Sequence, residues 1–190
     1  MLSRSQAEKH LNTALAALDK SDDWRSVLDR LPVPIYITAV DGAVTYWNQA
    51  CVDFAGRRPE LGKDRWCVTW QIYTTTGERL PHDQCPMADA VREQQAIRGA
   101  VAIALRPDGS RVAFTPYPTP LFDQDGKLTG AVNMLIDVSD EQSEALAEQA
   151  CRCRRLAMAT YDREISEVLD AMAENYEQTA EDLRSTAATA

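Results

Sequence analysis

The residues able to act as nucleophiles or as metal ligands are few and widely spaced. The chain has five cysteines and two histidines, namely Cys51, Cys67, Cys85, Cys151, Cys153, His10 and His82. An odd cysteine count without a Cys-x-x-Cys pair argues against a disulfide framework. His82 and Cys85 have the spacing of half a zinc site, and the sequence offers no matching second half. We therefore expect reduced, packed thiols and no metal site.

Sequence motifs for catalysis are absent as well. The chain has neither a Gly-x-Ser-x-Gly elbow nor a Walker loop. His10 lies in a segment that faintly resembles a phosphoacceptor box, but no glycine-rich ATP-binding lid follows it. The 29 acidic residues are the expected solvated charges of an acidic surface. The sequence therefore predicts that the protein is not an enzyme.

Composition and charge exclude several classes of partner. A net charge of −9 disfavours binding to nucleic acid or to an anionic membrane surface. No apolar run approaches the length of a membrane span, and residues 1–6 lack the apolar core of a signal peptide. The chain has 190 residues, 45% of them hydrophobic, which is enough for one domain plus appended helices. We expect a soluble cytoplasmic protein.

The middle of the chain has the pattern of an antiparallel sheet. Apolar alternation predicts five strands, at residues 35–40, 44–47, 100–105, 111–117 and 128–138. Asp41-Gly42 and Pro107-Asp108-Gly109-Ser110 are typical hairpin turns between neighbouring strands. Between the second and third strands, one helix is predicted at residues 49–55, and a second is initiated by Pro81-His82-Asp83, has Pro86 in its first turn and runs to about Gln95. This order predicts an α+β fold, in which a five-stranded antiparallel sheet carries helices on one face.

Helices are predicted before and after the sheet. Residues 1–30 form N-terminal helices, with Ser3 and Gln6 as a capping box. Residues 139–184 have the pattern of one long helix that starts with a second capping box, Ser139 with Gln142, while residues 185–190 should fray. The apolar residues of this helix follow heptad spacing, and one helix cannot bury such a seam alone. We therefore predict a homodimer through Met158, Tyr161, Ile165, Val168 and Met172. The sequence leaves open whether the helix instead folds back on its own domain.

Several short motifs occur in an order known from one family of sensors. They are Pro32 and Pro34 before the first strand, Asn48 after the second, the run Leu80-Pro81-His82-Asp83-Gln84-Cys85-Pro86-Met87, and the closing Asp137-Val138-Ser139. This arrangement, over residues 31–138, resembles the PAS family of sensory domains. The resemblance implies a domain that reports a small ligand, a redox change or a partner. It also implies that Asn48 ties the sheet to the next helix, and that Asp137 and Ser139 relay a signal from sheet to helix.

The resemblance further implies where a ligand would bind. When the last strand is aligned by Asp137, one face of the sheet points into a ligand cup. On that face we predict Asn133 and Leu135 of the last strand, Phe114 and Val112 of the strand before it, and Ile103 and Val101 of the strand before that. Such a cup is mainly aliphatic with one amide. It suits a small, mostly apolar ligand, or an empty and collapsed core.

The cofactors of the family have little support in these residues. Haem-binding members place an axial histidine in the helix after the irregular segment. His82 is the candidate for that role, but it precedes the helix. Cys67 lies in the region where flavin-binding members carry an Asn-Cys-Arg motif, and it lacks that flanking pattern. We therefore predict no bound cofactor.

These features together predict a stand-alone bacterial PAS-type regulatory protein that acts through protein–protein interaction. We expect it to act in two-component signalling with a histidine kinase as its partner, because no effector domain follows the sheet. One alternative is a direct sensor that binds haem or another small ligand in the cup. A second alternative, a small enzyme that uses the cup, would need paired acid–base groups there, and Asn133 is the polar residue found.

Overall fold

The computed structural model describes residues 4–187. Its helices are α1 (Arg4–Lys20), α2 (Trp24–Asp29), α3 (Gln49–Ala55), α4 (Pro86–Glu93), α5 (Ser139–Ala159) and α6 (Arg163–Ala187). Its strands are β1 (Ile35–Ala39), β2 (Val44–Trp47), β3 (Gln71–Tyr73), β4 (Arg79–Leu80), β5 (Ala102–Leu105), β6 (Arg111–Pro116), β7 (Thr119–Phe122) and β8 (Leu128–Asp137). The capping box predicted at Ser3, and residues 188–190 of the predicted tail, lie outside the described residues.

The strands form one antiparallel sheet in the order β2-β1-β8-β6-β5-β3-β4, and β7 also pairs with β8. The predicted α+β fold class is confirmed, although the described residues contain eight strands and not five. The five predicted strands are present as β1, β2, β5, β6 and β8. The additional strands β3 and β4 were missed because segments of two or three residues are too short to show alternation. Strand β7 was missed because it contains Pro120, and a proline within a run argues against a strand.

One face of the sheet carries α3 and α4, and together they enclose the main hydrophobic core. Burial of this apolar surface is the principal stabilising contribution to the fold. Its largest buried side chains are Tyr36, Phe54, Met87, Phe114 and Leu135. We call the region enclosed by this face, α3 and α4 the cup.

The opposite face of the sheet is covered by helices from both ends of the chain. Helix α1 packs Leu11 and its alanines over β1 and β8. Helices α5 and α6 cover β5 and β6, where Leu146 and Leu183 meet Ile103. The central strands are therefore buried on both faces.

The helical segment predicted over residues 139–184 is divided in two. Helix α5 ends at Ala159, and Thr160 is extended, with φ −89° and ψ 144°. The chain then reverses direction, and α6 continues to Ala187. Residues 185–187 of the predicted frayed tail are therefore helical.

Asp162 is the residue that starts the second helix. Its Oδ1 accepts hydrogen bonds from the backbone N–H groups of Glu164, at 2.9 Å, and Ile165, at 3.2 Å. An aspartate that accepts these otherwise unpaired donors is a favourable N-cap. The heptad spacing continues through this point, which is why sequence periodicity alone did not reveal the break.

Helices α5 and α6 pack against each other as an antiparallel hairpin. Small side chains at Ala150, Cys153 and Ala173 are buried between them and allow a close approach. The guanidinium of Arg154 donates two hydrogen bonds to Glu177 across the pair, at 2.9 and 2.6 Å. The C-terminal segment therefore folds back on its own domain. Within the described residues, no helix is both long enough and apolar enough to cross a bilayer.

Candidate functional site

The structure brings together in the cup most of the residues predicted to bind a ligand. Val112, Phe114 and Leu135 belong to one buried cluster, and the buried Asn133 lies beside Tyr36. The ring of Phe114 meets that of Phe54 edge-on, with centroids 5.5 Å apart. The facing predicted for β6 and β8 therefore agrees with the structure. The ligand-binding role of these residues stays a prediction.

The facing predicted for Ile103 and Val101 is wrong. In the β5–β6 pair, Ala102 lies opposite Phe114, and Ile103 lies opposite Ala113. Directly opposed residues share a face, so the alanines of β5 point into the cup and Ile103 points to the helical hairpin. Val101 precedes the strand. A shift of one residue exchanges the two faces, and both faces of β5 are buried, so hydrophobicity did not distinguish them.

Asn133 uses its amide within the protein. Its Oδ1 accepts a hydrogen bond from the backbone N–H of Tyr117 at 2.9 Å. Its Nδ2 donates to the hydroxyl of Tyr36 at 2.9 Å, and that hydroxyl donates to the carbonyl oxygen of Trp66, also at 2.9 Å. Sequence reasoning missed Tyr36. The available signal was its place between Ile35 and Ile37, because alternation puts it on the opposite face from them.

Three thiols line the same core as Tyr36. Cys51, Cys67 and Cys85 are buried, as predicted, and Cys51 donates to the carbonyl oxygen of Ile35 at 3.2 Å. Burial raises the pKa of Cys85 to about 12 and also raises the pKa values of Cys51 and Tyr36. These groups are therefore neutral at physiological pH, which is unsuitable for a nucleophilic thiolate. Among residues 4–187, no group of three or more histidine, cysteine or acidic side chains is arranged to hold a metal ion.

Trp66 is held in an unusual backbone conformation beside the cup. Its φ is +67°, a left-handed value that is a clear outlier for a bulky residue. Its indole lies directly over Gly42, where an added Cβ would lie only 2.3 Å from the ring. The backbone N–H of Trp66 also donates to the carbonyl oxygen of Gly42 at 2.7 Å. This contact fixes Trp66, whose carbonyl oxygen accepts the hydrogen bond from Tyr36.

The predicted relay residues form the joint between the sheet and the C-terminal helices. Oδ1 of Asp137 accepts a hydrogen bond from the backbone N–H of Ser139 at 2.9 Å. Oγ of Ser139 accepts one from the buried N–H of Ala113 in β6 at 3.1 Å, and Val138 N–H donates to Ala113 O at 2.9 Å. Asp137 thus accepts the first backbone N–H of α5, and Ser139 binds the sheet instead of forming the predicted capping box. Strand β6 is therefore hydrogen-bonded directly to the first residue of α5, and the relay role of Asp137 and Ser139 stays a prediction.

Asn48 ties the entry segment to the sheet. Its Oδ1 accepts from the backbone N–H of Ile35 at 3.0 Å. Its Nδ2 donates to the carbonyl oxygens of Leu28, at 3.1 Å, and Val33, at 2.9 Å. The side chain is fully buried and saturated with backbone partners. Its role is structural, but its side chain bonds to the segment before β1 and to the first residue of β1 and not, as the resemblance implied, to the following helix.

The residues predicted for a dimer interface lie on the outside of the helical hairpin. They are Met158, Tyr161, Ile165, Val168 and Met172, and we call them the hairpin strip. Met158 is 80% exposed and Ile165 52% exposed. The hairpin is held together by its other face, so the strip contributes nothing to that packing. Exposed apolar residues grouped in this way are typical of an interaction surface.

Comparison with known proteins identifies the family. A family model described as the PAS fold matches residues 28–143. The chain belongs to the PAS-fold family. This family consists of sensory domains, so the general role of this PAS domain is that of a signalling module. No curated protein matches the chain significantly.

Solved structures share the fold of this PAS domain. The PAS domain of the fruit-fly ELK potassium channel is 13% identical, with a TM-score of 0.51, and the match covers 62% of this chain and 95% of that one. An RNA-binding light-oxygen-voltage receptor is 20% identical, with a TM-score of 0.50, covering 65% of this chain and 36% of the receptor. A PAS domain from Colwellia psychrerythraea is 16% identical, with a TM-score of 0.43, covering 61% and 94%. This chain thus spans about a third of the light-oxygen-voltage receptor, and these likenesses show the fold alone.

The residues of this PAS domain do not fit a haem or a flavin. Side chains, among them the Phe54–Phe114 pair, occupy the interior of the cup. His82, the candidate for a haem, lines a surface cleft together with the polar residue Arg79. Cys67 is buried, with its sulfur 3.2 Å from Oγ1 of Thr69. The chemistry of either cofactor is therefore not assigned to this protein.

Proposed function

We propose that this chain is a PAS-type signalling module that acts through protein–protein contact, with the α5–α6 hairpin as its output. The observation that carries the proposal is the joint at Asp137 and Ser139, which connects β6 to α5 without a linker. A rearrangement of the sheet therefore changes the angle at which the hairpin leaves it. Met158, Tyr161 and Ile165 of the hairpin strip lie beside the turn between α5 and α6, at the end of α5 opposite to the joint, where a small change of angle gives the largest displacement.

The partner that best fits the hairpin strip is a second copy of the chain. The strip has basic residues beside it on α5, Arg152 and Arg155, and the acidic Glu164 beside it on α6, where Glu167 is paired with Arg163. A two-fold axis brings the α5 side of one copy against the α6 side of the other. Apolar residues then meet at the centre, and opposite charges meet at the rim. This pairing supports the predicted homodimer.

The dimer is tested with the variant Ile165→Glu. Because Ile165 is half exposed, the variant should remain folded, with unchanged helical circular dichroism. A charge at the centre of an apolar interface is strongly unfavourable. Light scattering after size exclusion should give a dimer for the wild type at micromolar concentration and a monomer for Ile165→Glu. The control Gln178→Glu adds the same charge at an exposed position of α6 and should stay dimeric. A monomeric wild type would exclude the second copy as the partner.

A histidine kinase as the downstream partner, and a cytoplasmic location, are finer parts of this proposal that come from the family resemblance. Small-ligand sensing in the cup is the second candidate function. It is supported by the buried hydrogen bond between Asn133 and Tyr36, which a ligand hydroxyl or carbonyl would be able to replace. Native mass spectrometry of the purified protein tests it. A bound small molecule that is lost in Asn133→Leu would support it, and an unliganded mass in every preparation would count against it.

A further inference from the structure

A surface cleft of about 450 Å³ opens beside the β3–β4 edge of the sheet. It is lined by Trp70, Gln71, Ile72, Arg79, Leu80, Pro81 and His82. Small-molecule sites commonly have volumes of about 300–1,000 Å³, with apolar walls and a few convergent polar groups. The cleft has this composition. The central residues of the cup, Phe114 and Leu135, do not line it.

Two polar groups of the cleft lack the partners that such groups normally have. Nε2 of His82 is buried and has no hydrogen-bond partner within the described part of the chain. A buried polar atom without a partner is rare, because its desolvation is not offset. Arg79 is exposed in a chain of net charge −9, yet among residues 4–187 it forms no ion pair. Arg79 favours an anionic ligand, and Nε2 of His82 donates to the same ligand when it carries the ring proton.

Trp70 provides an apolar surface at the same cleft. Its side chain is 47% exposed, although tryptophan is usually well buried. An exposed indole next to an arginine is a suitable surface for stacking a flat ring. We propose that this cleft binds a small aromatic carboxylate, with the carboxylate on Arg79 and His82 and the ring against Trp70.

The cleft is connected to the helical hairpin by the β3–β4 strands. Ile72 of β3 lines the cleft, while the next residue, Tyr73, packs in the cluster of Leu183 on α6. The turn between β3 and β4 also lies against α6, with Gly77 next to Asn175. A ligand that moves β3 therefore displaces α6. This step rests on the proposed function, whereas binding in the cleft does not.

Benzoate is the probe for this site, and the readout is the NMR spectrum of the full chain. Benzoate should give saturable shifts of the His82 ring and of the Trp70 indole N–H. Acetate, which has the carboxylate without the ring, and inorganic phosphate should bind at least about tenfold more weakly. Arg79→Gln should weaken the affinity for benzoate about tenfold, because one charge-assisted hydrogen bond is lost. The control Arg58→Gln removes another exposed arginine, which lies over Trp47 outside the cleft, and should bind benzoate normally.

The titration of His82 gives an independent measure of the same site. Burial, and then the charge of Arg57, lowers the pKa of His82, with Arg79 acting in the same direction and Asp64 and Asp83 in the opposite one. An anion bound beside the ring favours its protonated form, so saturating benzoate should raise this pKa. An unchanged pKa, or equal benzoate binding by wild type and Arg79→Gln, would overturn the proposal. Equal affinity for benzoate and acetate would overturn the role of Trp70.

The coupling between the cleft and α6 is measured in the same NMR spectra. Benzoate should also shift the backbone resonances of Tyr73 and Asn175, and these shifts should disappear in Arg79→Gln. Binding at His82 without any change at Asn175 would refute the coupling. The oligomeric state is measured separately with Ile165→Glu. A protein that does not bind benzoate is therefore distinguished from one that does not dimerise.

Discussion

The joint between sheet and helix gives the sharpest test of this structure, through the variant Ser139→Ala. The substitution removes the Oγ atom that accepts the hydrogen bond from the buried N–H of Ala113. It leaves the backbone N–H of Ser139 bonded to Asp137, so the hydrogen bond at the start of α5 is retained. Leaving a buried donor without its acceptor lowers the free energy of unfolding by about 1–3 kcal/mol. For a chain of this size, each kcal/mol lowers Tm by about 2–4 °C.

Ser143→Ala is the matched control for this variant. Ser143 is also a buried serine of α5, but its hydroxyl donates to the carbonyl oxygen of Asp140 within the same helix, at 2.8 Å. Its loss leaves no buried donor without a partner, and alanine is the better helix former by about half a kcal/mol. We therefore expect a change in stability close to zero for Ser143→Ala.

Urea denaturation and amide hydrogen exchange measure the two variants. Ser139→Ala should lower the free energy of unfolding by about 1–3 kcal/mol and speed the exchange of the Ala113 amide more than that of its neighbours in β6. Equal stability of the two variants, or unchanged exchange at Ala113, would show that Ser139 does not hold the sheet to the helix. The proposed output would then have no structural connection between β6 and α5 through Ser139.

Three further predictions concern the core and its charges. Phe114→Ala should lower the free energy of unfolding by about 3–5 kcal/mol in urea denaturation, because its ring fills the cup against Phe54; a negligible change would contradict its placement there. Asn48→Ala should lower the free energy of unfolding by about 3 kcal/mol, because it leaves buried backbone groups unpaired. The variant Gln49→Ala, at the neighbouring exposed residue, should leave it nearly unchanged in the same assay. The lowered pKa of His82 means that the unfolded chain binds its proton more readily than the folded one. The contribution of His82 to the free energy of unfolding should therefore be fully present above pH 6.5, its ordinary pKa, and should be lost as the pH falls below that value. Thermal melts from pH 8 to pH 5 check this, and His82→Gln should remove that part of the loss.

Local sequence patterns determined five of the strands, β1, β2, β5, β6 and β8, and the two hairpins that turns connect. Alternation and Asp-Gly turns act over a few residues, so they are visible without tertiary contacts. The positions of Asn48 and Asp137 at strand ends were also available from sequence, and Asp137 bonds to the start of the next helix. The partners of Asn48 lie 13 to 20 positions earlier in the chain, so only the tertiary structure identified them. The facing of β8 and β6 followed once Asp137 set the register.

The tertiary structure alone decided the facing of β5 and the partners of the polar cup residues. Strand alternation placed Ile103 in the cup, but the hairpin covers the other face of β5 and buries Ile103 there. Asn133 and Tyr36 are separated by 97 positions along the chain, so no local pattern indicates that they are bonded. The fold-back of α6 was likewise undecided, because a heptad seam shows that a partner is needed without showing which helix provides it. Contacts between distant segments, and burial on both faces of a strand, carry no local signal, and these are the features that define the candidate sites of this protein.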